Sequence, residues 1–193
     1  MPSYFPENNE PKPMDSSDRS LQKINSLLNS GISSTAGGIL ITNFRTKIVR
    51  FTPVVDTSAY ATGDVLFNTT SVTVADTAAA TRGTILSASI VDRDDEASQT
   101  ITLYFLRSNA NFGTINAAPS ITDDGAFEII GTATVTTGTD LGGCKFGESS
   151  GLVIPFELTS NTLFVAATTG GTPTFSSASD IRVRLSLQLE APV

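Results

Sequence analysis

Gly147-Glu148-Ser149-Ser150-Gly151 has the G-x-S-x-G spacing of a nucleophile elbow. There a serine on a strained strand-to-helix turn attacks an acyl carbon after a histidine takes its proton. The 193-residue chain contains no histidine, and Leu152-Val153-Ile154 reads as a strand where an elbow needs a helix. The stretch is therefore read as a flexible Gly/Ser turn. Residues 142–149, Gly-Gly-Cys-Lys-Phe-Gly-Glu-Ser, outline a phosphate-binding loop, but Glu148 stands where that loop needs a lysine and would repel a nucleotide. Ser20-Leu21-Gln22-Lys23 fits S-x-x-K without the companion motifs that give it meaning. Cys144 has Lys145 beside it, which can lower a thiol pKa, but no base to work with. It is read as a small packed thiol.

Two charged runs invite a binding role. Asp92-Arg93-Asp94-Asp95-Glu96 puts four carboxylates into five residues, chemistry that suits a hard cation such as Ca²⁺. The spacing is not that of a calcium loop, Arg93 competes from within, and a solvated hairpin tip explains the run equally well. Arg45, Lys47 and Arg50 form the basic cluster of the chain, either a contact for an acidic partner or a solvent face balancing nearby acids. Arg182 and Arg184 are candidates for the same surface. Asn68-Thr69-Thr70 fits the glycosylation pattern, and without an export signal it is given little weight.

Composition narrows the classes further. Twelve basic against nineteen acidic residues leave a net charge of −7, which argues against a nucleic-acid binder. One cysteine excludes an internal disulfide framework and multi-cysteine zinc sites. No cofactor and no metal is expected. No apolar run approaches a membrane span, and the opening residues do not read as a secretory signal. There is no tryptophan, and of the three tyrosines only Tyr60 lies outside the arm and the strands. A carbohydrate-binding module, which wants exposed aromatics, is a lesser alternative.

The elements that must carry these residues fall into two parts, 1–37 and 38–193. Pro2, Pro6, Pro11 and Pro13 favour extended backbone in an N-terminal arm. Within the arm Leu21, Ile24, Leu27 and Leu28 recur at helical spacing behind Asp15, Ser16 and Ser17 as candidate caps, with Gly31 suited to the C-terminal end. This predicts a helix of about 14 residues, too short to be stable alone, whose stripe docks on its own body, a neighbouring subunit or another protein. From Gly38 the pattern is β. Strands are expected at 39–42, 45–51, 64–67, 72–74, 84–92, 99–107, 126–136, 152–158, 162–167 and 180–190. In the last, Ile181, Val183, Leu185, Leu187 and Leu189 alternate with polar residues, the period of a half-buried antiparallel strand. Eleven phenylalanines with many Val, Ile and Leu can fill a two-sheet core. The fold class is all-β, a β-sandwich of jelly-roll or immunoglobulin type with an extended arm carrying one short α-helix.

The whole design, with the opening Met1-Pro2-Ser3-Tyr4-Phe5-Pro6, the arm segment Arg19–Ile24 and a Thr/Ala/Gly-rich body, resembles a virion structural protein of tailed bacteriophages. The nearest type is a capsid decoration (cement) protein. The phrases Ala59-Tyr60-Ala61-Thr62-Gly63-Asp64-Val65-Leu66-Phe67, Arg82–Leu86 and Asn116–Ser120 carry the likeness in the body. The resemblance implies a non-enzymatic subunit made in the host cytoplasm and held on the capsid surface. Its partners would be the major capsid protein or neighbouring virion subunits, and it would form a homo-oligomer, most simply a homotrimer. A tail, neck or baseplate component would share this composition.

Overall fold

The computed structural model describes residues 44–76 and 81–190. The arm, its leucine stripe (Leu21, Ile24, Leu27, Leu28), the strand expected at 39–42 and the boundary at 37/38 lie outside the described residues. The body consists of β1 (Arg45–Phe51), β2 (Val65–Thr73), β3 (Thr81–Asp92), β4 (Thr100–Leu106), α1 (Asp123–Phe127), β5 (Ile129–Thr136), β6 (Thr139–Asp140), β7 (Lys145–Leu158), β8 (Thr162–Thr169) and β9 (Ile181–Leu189). Four elements differ from expectation, one of them β6, where no strand is expected. The pieces at 64–67 and 72–74 join into β2, whose pairing with β8 absorbs the polar Asn68-Thr69-Thr70 through two register shifts. Residues 123–127 form a one-turn helix, because Thr122 accepts the Gly125 amide and Asp123 and Asp124 occupy the first turn. And β7 begins at Lys145, running through the serine motif that reads as a turn.

The strands form a five-stranded sheet in the order β1-β9-β3-β7-β6 and a four-stranded sheet in the order β2-β8-β4-β5. All neighbouring strands are antiparallel. From β1 to β4 the chain changes sheet at every step, and it does so again from β7 to β9. That winding is the double Greek key of a jelly roll, which resolves the choice left open between jelly-roll and immunoglobulin types. The alternation in β9 is realised in full: Ile181, Val183, Leu185, Leu187 and Leu189 are buried while Arg182 and Arg184 are exposed. Facing them across the sandwich are Leu103, Phe105 and Val165, all fully buried, so the interior is packed with side chains. Phe112 caps a second, smaller cluster with Leu106 and Ala166 on the outer side of the four-stranded sheet, its ring 4.6 Å from that of Tyr104.

Tyr60 closes one corner of the core. Its hydroxyl accepts the Asp56 amide at 2.6 Å and donates to the Leu66 carbonyl at 3.0 Å. Its ring meets Phe175 edge-on at 5.9 Å. Burial pushes its pKa up to about 12. Tyr60→Phe keeps the ring but strands one donor and one acceptor, so it is expected to cost about 1–2 kcal/mol in chemical denaturation.

Candidate functional site

The S-x-x-K motif at residues 20–23 lies outside the described residues, and the other motifs that suggest chemistry are parts of strands and turns. Ser149 sits in the β7 ladder opposite Ala88, with no strand-to-helix turn around it. Gly147 and Gly151 answer two separate backbone needs. A Cβ on Gly147 would lie 2.2 Å from the Thr136 carbonyl oxygen, and Gly151 has φ +70° where β7 steps out of register with β3. In the loop before β7, the Gly142 amide donates to Asp140 and Lys145 pairs with Asp95 at 3.3 Å, so neither is arranged around a phosphate. Cys144 is half-buried. Asn68 is engaged as a strap: its Oδ1 accepts the Phe112 amide and its Nδ2 donates to Asn111.

The acidic run is not a hairpin tip, because β3 and β4 belong to different sheets. It arches across the sandwich and is stitched to the β8–β9 connection. Asp94 accepts the Ser176 amide at 2.8 Å and hydroxyl at 2.5 Å, and Glu96 accepts the Thr174 amide. Asp180 completes the stitch by accepting the Ser177 amide. Among the described residues no group of three or more His, Cys, Asp or Glu is placed to hold a metal. Asp92, 1% exposed, takes the Asp94 amide on Oδ1 and leaves Oδ2 without a partner. Burial, reinforced by the charges of Glu96, Asp94 and Asp180 and opposed by the Asp94 amide, raises its pKa. A carboxyl with a raised folded-state pKa destabilises the fold while ionised, and that penalty disappears as pH falls through the folded pKa. Asp92→Asn is therefore expected to stabilise the protein by about 1 kcal/mol at pH 7. The gain should vanish below the ordinary value of 3.8, which melts across a pH series would record.

The basic residues divide by the pleat. In β1, Val49 and Phe51 pack against the core, so Arg45 and Lys47 point to that side at the sheet edge while Arg50 points outward. Lys47 pairs with Asp76, whose pKa is lowered by the hydrogen bond and charge of that lysine. The cluster Arg45, Lys47, Arg50 is thus not one surface. Arg50 instead joins Arg182 and Arg184 on the outer face of the five-stranded sheet, as the sequence left open. Arg50 lies directly opposite Arg184, and Arg184 opposite Ser89 and near Glu148. The next row runs from Arg182 to Val91 to Phe146. Arg50, Arg182, Arg184, Ser89, Val91 and Phe146 border a groove of about 370 Å³. Arg184 Nε donates to the buried Ser89 Oγ at 3.0 Å, which fixes its guanidinium.

No protein family profile and no curated protein matches this chain. A chain in the solved structure of tomato aspermy virus overlays on 91% of this chain and 96% of its own, with 8% identity and a TM-score of 0.37. That overlay is too loose to inform function.

What the sequence does not reveal is the partnership of Arg50 with Arg182 and Arg184, 132 and 134 positions away. The signal exists only as two outward positions, in β1 and β9, and it becomes a site once β9 is known to pair with β1. Tyr60, the aromatic available to a sugar-binding reading, is 3% exposed and offers no platform. Among the described residues no helix is long and apolar enough to cross a membrane.

Proposed function

We propose that this protein is a non-enzymatic structural subunit of a virus particle, which binds the surface of a tailed-bacteriophage capsid and stabilises it. The observation that carries the reading is the contrast between inside and outside. The jelly-roll interior is filled with apolar side chains, whereas arginines gather on one outer sheet face. Such a body offers surface for docking. Jelly rolls serve recurrently as capsid domains, a fold-level analogy that agrees with the phage-like phrasing of the sequence. In this reading the arm, with Leu21, Ile24, Leu27 and Leu28, supplies a second attachment. Many copies on a lattice, most simply as homotrimers, gain avidity from it.

Quantitative mass spectrometry of purified particles tests the proposal. Copies in the hundreds, spread over the shell in electron micrographs, are expected. A handful of copies at the tail or neck would assign the protein there instead, and absence from particles would overturn the reading. Replacing Leu21, Ile24 and Leu28 together by Ser should weaken particle association and leave the body's melting nearly unchanged.

A further inference from the structure

We infer that the outer face of the five-stranded sheet recognises an acidic, partly apolar polypeptide segment. Arg50, Arg182 and Arg184 take its carboxylates, and Val91 with Phe146 forms the floor for an apolar side chain. The inference rests on the proposed function only for the source of that segment, an acidic stretch exposed on the shell protein.

The first argument is electrostatic. Like charges directly opposite one another in an antiparallel pair destabilise a sheet, yet Arg50 and Arg184 occupy such positions. Arg182 projects on the same face two residues along, about 6.6 Å away. A chain of net charge −7 has carboxylates to spare, but among the described residues only Glu148 approaches, reaching Arg184 at 4.0 Å. Among the described residues Arg50 and Arg182 form no ion pair. The repulsion is relieved when an external anion sits between the guanidiniums.

The second argument concerns shape and preparation. The Ser89 hydroxyl engages Nε of Arg184, which holds the guanidinium still and leaves its terminal nitrogens able to meet a carboxylate in the bidentate manner. Val91 and Phe146 are only half-buried, so apolar surface lies beside the charges. A bare phosphate would leave that floor unused. A nucleic acid would meet the repulsion of the acidic body as a whole. In an extended peptide, side chains two apart share a face about 6.8 Å apart. Two acidic residues at that spacing match Arg184 and Arg182; the floor lies beside Arg182 in the same row, so the segment turns across the strands after its second acid to seat an apolar residue.

The test titrates the full-length protein with the capped peptide Glu-Ser-Glu-Ser-Leu, reading the arginine Nε–H resonances by NMR. Shifts confined to Arg50, Arg182 and Arg184 are expected. Binding should weaken about tenfold in Arg182→Gln, the scale of a lost charge-assisted bond, and stay unchanged in Arg45→Gln across the pleat. Gln-Ser-Gln-Ser-Leu should not bind, and Glu-Ser-Glu-Ser-Ser should bind more weakly than the leucine peptide. Four results would each overturn the inference: no shift with the acidic peptide, equal effects of the leucine and serine peptides, inorganic phosphate matching the peptide, or a DNA duplex exceeding it. Because the titration uses the protein alone, its failure leaves the particle copy number untouched, and the reverse also holds.

Discussion

Gly147→Ala is expected to abolish stable folding, or to lower stability by about 3 kcal/mol or more in denaturant titration. The added methyl would sit 2.2 Å from the carbonyl oxygen of Thr136 and 2.7 Å from its carbon. Both are backbone atoms of β5, so no side-chain rotation relieves the clash. Relief requires β5 and β7 to separate where the two sheets approach each other. Gly151→Ala is the informative control. Its Cβ would enter open space and meet nothing within 4 Å. The only cost is the left-handed backbone at φ +70°, about 1–2 kcal/mol. A ranking in which Gly151 mattered more than Gly147 would contradict the packing described between β5 and β7.

Phe67→Ala is expected to cost about 3–5 kcal/mol, a large share of the 5–15 kcal/mol that holds a typical domain together. The Phe67 side chain is fully buried, and its ring lies 6.3 Å from that of Phe51, nearly perpendicular to it. That contact joins β2 in one sheet to β1 in the other. Among the described residues β1 is bonded to one strand, β9, so it depends on that ladder, the packing of Val49 and Phe51 and the Lys47–Asp76 pair. Hydrogen exchange should accordingly accelerate in β1 before it does in β3 or β9. Acidic-peptide binding should weaken as well, because Arg50 is carried on the loosened strand, although no guanidinium has been altered.

These variants show where sequence reasoning reaches and where it stops. Period-two alternation in β9 and β4 announces half-buried strands, since each side chain's exposure depends only on its own parity. The bounds of β1 follow equally directly from residues 45–51. The serine motif misleads because Gly147 answers to Thr136, a neighbour that only the packing of the two sheets supplies. The acidic run misleads for a related reason. Its carboxylates serve amides at Thr174 and Ser176, about 80 residues on, and a contact of that range leaves no local trace. The basic cluster fails on parity itself: Arg45 and Lys47 are odd and Arg50 is even, so no flat strand could present all three together. That much could be read from the numbering alone. The true companions of Arg50 could not, because they depend on strand order.

The placement of β9 between β1 and β3 bears on how the protein is made. Among the described residues the last strand to leave the ribosome is also the one that joins β1 to β3, so the five-stranded sheet cannot close during most of translation. Folding must wait for contacts spanning nearly the whole body, an arrangement associated with slow formation. Arg182 and Arg184 arrive on that same late strand, opposite an Arg50 synthesised long before. A truncated product therefore lacks both the closed sheet and two of the three guanidiniums that border the groove. Completeness is checked by geometry: only a chain whose synthesis has passed β9 can present the assembled face.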